Sequence, residues 1–120
     1  MRPEKEDMAR LWDMLDAARA AVQFTRDRRF EDFLKDRMVR NAVERNLEII
    51  GEAAGCVSQD FRDNHPEIPW RAIIALRNVL AHEYGEIRYE RLWFLCTQQL
   101  AVLIRHLEDV GVKDPMETDL

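Results

Sequence analysis

Apolar residues recur every three or four positions through most of this chain, and no stretch sustains the strict alternation of a strand, so the pattern predicts helices. A first helix is expected from about Pro3 to Thr25, with Met8, Leu11, Leu15, Ala18 and Val22 on one stripe. Glu4, Glu6 and Asp7 fall in its first turns, where the helix dipole favours negative charge. Arg26 to Arg29 form a short charged link. A second helix runs from about Phe30 to Val57, with room for a break near Lys35-Asp36. Its stripe is Val39, Val43, Leu47, Ile50, Ala54 and Val57, and Asn41, Arg45, Glu48 and Glu52 share the opposite side. Residues 58–68 read as a loop, marked by Asp63-Asn64-His65-Pro66. Pro69 then opens a third helix that continues to about Glu83. A fourth spans about Arg88 to Val110, with Tyr89, Leu92, Cys96, Leu100, Leu103, Leu107 and Val110 on one face. The expected fold is an all-α, antiparallel four-helix bundle with room for a short extra helix, residues 1–112, followed by a polar tail, 113–120.

Composition narrows the function classes. A chain of 120 residues suits one domain, and a charged fraction of 34% suits helices with solvated faces. The net charge of -5 argues against broad nucleic-acid binding, so any RNA contact is expected to be local. Arg26, Arg28 and Arg29, and more loosely Arg37, Arg40 and Arg45, read first as solvated charge runs. Cys56 and Cys96 lie in apolar helical patterns without CxxC spacing, which predicts buried free thiols in a reducing cytoplasm. Neither a signal peptide nor an apolar run of about 18 residues is present, so no membrane association is expected. His65 and His106 lack partners at ligand spacing; no metal and no cofactor are expected.

The candidate chemistry sits in Leu76-Arg77-Asn78-Val79-Leu80-Ala81-His82-Glu83-Tyr84. At about 100° per residue, Asn78 and His82 share a helix face, while Arg77 and Tyr84 lie on the neighbouring flank. Arg offers a fixed fork of donors that suits phosphate, and His exchanges protons near neutrality. Together they suit RNA cleavage by the neighbouring 2'-hydroxyl, which needs proton transfer and charge stabilisation but no metal. Arg77 also falls in the middle of the stripe formed by Trp70, Ile73, Ile74 and Leu80, where a charge needs a partner or a ligand. Spacing alone leaves a purely structural role for Arg77 and His82 open.

Arg77-Asn78-Val79-Leu80-Ala81-His82-Glu83-Tyr84 resembles the Arg-x-x-x-x-His-x-Tyr motif of HepT-like proteins of the HEPN superfamily. Phe33-Leu34-Lys35-Asp36, Ala42 to Ala54 and His65-Pro66-Glu67-Ile68-Pro69-Trp70 are similar to that family in the same order, so the resemblance covers about residues 8–108. It implies a homodimer with a composite site, and metal-independent endoribonuclease activity with Arg77 and His82 essential and Asn78 supporting. It names Glu52 as a structural partner for Arg77. It also implies a toxin neutralised by adenylylation of Tyr84, carried out by a minimal nucleotidyltransferase antitoxin of the MntA type. The alternative that the same resemblance carries is a non-catalytic HEPN subunit of such a nucleotidyltransferase.

Overall fold

The computed structural model describes residues 4–117, so the Pro3 start expected for the first helix and the end of the tail, 118–120, lie outside the described residues. All regular structure among the described residues is helical, as the sequence pattern predicts. Three long helical stretches carry the core. These are α1 (Lys5–Thr25), α3 (Arg37–Gly55), and a continuous run made of α7 (Gly85–Phe94), a π turn (Leu95–Gln99) and α8 (Leu100–Val110). Short helices fill the corners: α2 (Phe30–Lys35), α4 (Gln59–Asn64), α5 (Trp70–Ile74) and α6 (Leu76–Ala81).

Helix α3 is central. It packs on α1 along its length and also meets α2, α5, α6 and α7, while α1 meets α8 on its other side. The extents are 43 × 33 × 19 Å, and the shortest corresponds to two helix layers of about 10 Å each. The interior holds the expected stripes: Leu11, Leu15 and Ala18 from α1, Val43, Leu47, Ile50 and Ala54 from α3, and Leu92, Cys96, Leu100, Leu103 and Leu107 from the last helical run are buried. Phe33 of α2 closes one end against Trp93, with ring centroids 5.3 Å apart.

The differences from the sequence pattern occur at helix ends. Asp36 takes an extended conformation and divides the second predicted helix; its carboxylate accepts the Val39 N–H at 3.1 Å and caps α3. The stretch expected to be loop contains α4, whose six residues are too few to show a period. Ser58 caps it, its Oγ accepting from Phe61 N at 3.2 Å. The buried Asp7 of α1 holds that cap in turn, accepting from Ser58 N at 2.8 Å and from Ser58 Oγ at 2.6 Å. Cys96 is buried as expected, whereas Cys56 is exposed, because it follows the last turn of α3 on the side away from the core.

The Asp7–Ser58 network ties the entrance of the fold to the connector that leads to α5. Hydrogen bonds to a charged group contribute about 1.5–3 kcal/mol. Asp7→Ala is therefore expected to lower unfolding free energy by about 2–3 kcal/mol in a urea titration, the part-buried Ser58 N–H being left without its acceptor. A loss below about 0.5 kcal/mol would show that the network carries no stability.

Candidate active site

The segment bearing the Arg-x-x-x-x-His-x-Tyr motif is anchored from below. Trp70 and Ile73 of α5 and Leu80 of α6 are buried against the core. At Gly51 of α3 the contact is backbone to backbone: a Cβ added there would stand 3.1 Å from the Ile73 carbonyl oxygen. Glycine suits so close an approach, since a Cβ would press α5 back by a few tenths of an ångström. The start of α5 is fixed by an aromatic group on the connector. His65 stacks on Phe61 with centroids 4.2 Å apart, Trp70 meets Phe61 edge-on at 6.0 Å, and Trp70 Nε1 donates to the His65 carbonyl at 2.9 Å.

The third predicted helix is broken at Ala75. Ala75 N bonds to Arg71 O at 3.0 Å and Val79 N to Ala75 O at 3.1 Å, and Ala75 itself belongs to neither α5 nor α6. This break corrects the expectation for Arg77. In a straight helix Arg77 would lie about 40° from Ile73 and would share its buried face; here Arg77 is exposed. Burying an unpaired guanidinium costs several kcal/mol, and at an exposed position Arg77 has no need for a partner. The expected Arg77–Glu52 pairing is not formed. Glu52 is exposed and pairs with Arg45 at 3.6 Å, one helical repeat away on α3.

Asn78 and His82 are exposed as well, and Tyr84 is 77% exposed. His82 caps α6, its N–H bonding to Val79 O at 3.2 Å. Tyr84 is extended and caps α7, and Gly85 follows with φ +60, a conformation that favours glycine. Two residues that sequence reasoning passed over brace this corner. Arg91 grips Glu83 with both ends of the fork, Nη2 to Oε1 at 2.9 Å and Nε to Oε2 at 3.4 Å. Arg88 then ties α7 to Glu44 of α3, and the Arg40 guanidinium lies 4.6 Å from the centroid of the Tyr89 ring. Arg40 also donates to the Leu34 carbonyl, so Arg40 of the basic cluster on α3 serves the fold. The Glu83–Arg91 spacing of eight residues across a turn carries no helical signal, which is why it was not visible beforehand.

Among the described residues no group of three or more His, Cys, Asp or Glu side chains is placed to hold a metal ion. Burial pushes the Cys96 thiol up to about 12, so it stays protonated at neutral pH. No described helix is long and apolar enough to cross a membrane.

The comparisons with known proteins agree with the motif. The family model described as "Ribonuclease HepT-like" matches residues 14–110. The chain belongs to the HepT-like ribonuclease family. A candidate ribonuclease HepT of Thermococcus cleftensis is 45% identical over 83 residues, covering 69% of this chain and 76% of the relative. Two candidate RNases of Methanocaldococcus jannaschii are similar over more of the length. One is 36% identical over 107 residues, covering 89% of this chain and 98% of the relative. The other is 37% identical over 112 residues, covering 93% and 92%. The chain has no significant match among solved structures.

For a HepT-like chain, the geometry brings Arg77, Asn78, His82 and Tyr84 onto one short helix and its exit, all open to solvent. It separates Glu52 from them by ion-pairing it elsewhere. It also gathers His65, Glu67, His106 and Asp109 around a small concavity behind the connector, a grouping that no sequence spacing announces. His65 Nδ1 lies 3.1 Å from Glu67 Oε1.

The Glu67 carboxyl is held below its ordinary value, chiefly by a backbone N–H and further by the His65 hydrogen bond and the charges of His65 and His106. A depressed carboxyl adds stability that is fully present above the ordinary 4.5 and is lost as pH falls through the folded value. Glu67→Gln should therefore flatten the fall of melting temperature between pH 6 and pH 3. Parallel profiles for the two proteins would remove this role.

Proposed function

We propose that the chain is a metal-independent endoribonuclease of the HepT type, working in the cytoplasm as the toxin of a toxin–antitoxin pair. The observation that carries the reading is that Arg77 and His82 are both exposed and make no side-chain hydrogen bond or ion pair among the described residues, in a chain that belongs to the HepT-like family. A structural role would have them hold something. They hold nothing, which leaves them available to a ligand.

In the proposed reaction a ribose 2'-oxygen attacks the adjacent phosphorus, the P–O5' bond breaks, and a 2',3'-cyclic phosphate forms. One imidazole removes the 2'-hydroxyl proton and another protonates the departing 5'-oxygen. A single chain offers one His82 on an open edge, so a two-fold homodimer that sets two copies around one cleft supplies both. Arg77 stabilises the charge that builds on the phosphoryl oxygens, and Asn78 supports it by hydrogen bonding. Removing a positioned acid–base group costs about 10²–10⁴-fold.

Tyr84, extended and exposed at the exit of the same helix, is the proposed modification site. Its phenol oxygen attacks the α-phosphorus of ATP on a nucleotidyltransferase antitoxin, pyrophosphate leaves, and the phenolic proton passes to a base of that enzyme. The adenylate adds negative charge beside Arg77 and repels RNA. The acidic balance of -5 favours a second reading, a non-catalytic HEPN subunit of such a nucleotidyltransferase.

Two measurements separate these readings. With chelator present and intact mass confirming a free Tyr84, wild type should cleave a mixed RNA to 2',3'-cyclic ends and His82→Ala should lose at least about 100-fold. No cleavage by the folded wild type would transfer the assignment to the second reading. Stoichiometric adenylylation of Tyr84 should abolish cleavage, and Tyr84→Phe should remain active in the presence of the nucleotidyltransferase and ATP. Unchanged cleavage by the adenylylated protein would overturn the switch.

A further inference from the structure

An open groove of ≈ 1110 Å³ runs between α4 and the broken α5–α6 pair and reaches Asn78. Its walls include Arg62 and Asp63 from α4 and Arg71, Ile74 and Asn78 from the α5–α6 side. We propose that this groove carries the backbone of a single-stranded RNA to Arg77 and His82, with Arg62 and Arg71 as its phosphate-binding residues. The inference rests on the ribonuclease reading and extends it to substrate positioning.

Charge is the first argument. The chain carries -5 overall, yet the groove holds two arginines against one carboxylate, Asp63, a local balance of +1. Asp63 is occupied by a neighbour, its Oδ1 accepting from Gln59 Nε2 at 2.8 Å. The arginines are not occupied. Arg19, Arg28, Arg29, Arg45, Arg88 and Arg91 have carboxylate partners, whereas Arg62 and Arg71, like Arg10, Arg26, Arg37, Arg40, Arg77 and Arg105, enter no ion pair among the described residues; what sets these two apart is that they line one groove. Arg71 is exposed and Arg62 partly so, and a phosphate oxygen entering the groove would accept from their guanidinium N–H groups.

Direction is the second argument. Arg71, Ile74, Ala75 and Asn78 line the groove in chain order. His82 follows Asn78 by one helical turn, about 6 Å further along the axis. Arg71 lies on α5 ahead of the break at Ala75 and Asn78 on α6 beyond it, so a strand lying along this side passes guanidinium, carboxamide and imidazole in turn. Ile68, Pro69 and Ile74 give the floor an apolar surface for ribose and base edges.

The test uses fluorescein-labelled single-stranded RNA of mixed sequence, with His82→Ala as the background so that the probe stays intact. Each neutralised phosphate on a single strand contributes about -0.7 to the slope of log K against log salt. Arg71→Gln and Arg62→Gln should each reduce the slope magnitude by about 0.7, and the double variant by about 1.4. Arg71→Lys should keep the slope, since a point charge still neutralises a phosphate. Arg10→Gln on α1, exposed and away from the groove, should leave it unchanged. Arg71 is exposed, so its variant tests the groove even if Arg62→Gln melts early. An unchanged slope in Arg71→Gln, or an equal loss in Arg10→Gln, overturns the groove while cleavage by wild type keeps the ribonuclease reading. A wild type that binds no RNA overturns both.

Discussion

The candidate site depends on how closely α5 lies on α3. At Gly51 a Cβ would stand 3.1 Å from the Ile73 carbonyl, so any side chain there would push α5 away by a few tenths of an ångström, and this close contact accompanies the burial of Trp70 and Ile73. Once Ile73 faces inward, a regular helix would carry Arg77 inward with it. Two costs then compete. Breaking the ladder at Ala75 forfeits a few backbone hydrogen bonds of about 1 kcal/mol each, in part returned by water. Keeping it would strand a guanidinium in an apolar face, at several kcal/mol. The break is the smaller cost, and its result is an α6 that keeps Leu80 buried while Arg77, Asn78 and His82 face solvent.

The long helices were legible because their periodicity is repeated over many turns; Leu11, Leu15 and Ala18, or Val43, Leu47 and Ile50, leave little choice of face. The division at Asp36 was legible only as room for a break near Lys35-Asp36; the cap that makes it, the Asp36 carboxylate on Val39 N, came from the structure. The break at Ala75 was not. It follows from a glycine some two dozen residues earlier that meets a carbonyl in space, and nothing local to Ala75 marks it, neither proline nor glycine. α4 was hidden by its length. Of the site, the motif itself was legible, but Glu52 was proposed as the partner of Arg77 on charge and resemblance, and neither carries the position of one helix face against another. Arg62 and Arg71 were invisible as a pair because α4 and the connector bring them together only in three dimensions.

Several arginines are used inside the fold: Arg28, Arg45, Arg88 and Arg91 pair with carboxylates, and Arg40 with carbonyls and the Tyr89 ring. Arg62, Arg71 and Arg77 enter no ion pair among the described residues, as is true of Arg10, Arg26, Arg37 and Arg105, and Arg71 and Arg77 are exposed. An acidic protein that handles a polyanion in this way attracts it only at short range, because the surrounding field is repulsive and screened beyond about 10 Å at moderate salt.

The π turn at Leu95–Gln99 has a consequence of its own. The chain passes from α7 to α8 without leaving the right-handed region, yet the two halves serve different neighbours, α7 resting on α2 and α3 while α8 rests on α1. One additional residue in the turn advances the angular phase by about 100°, so the inward faces of both halves can meet their separate partners within a single rod. The turn thus works as a vernier between two packing registers. Sequence drift that gains or loses one residue in this helix is expected to be absorbed there and nowhere else along it, because any other position would rotate every contact on one side out of alignment.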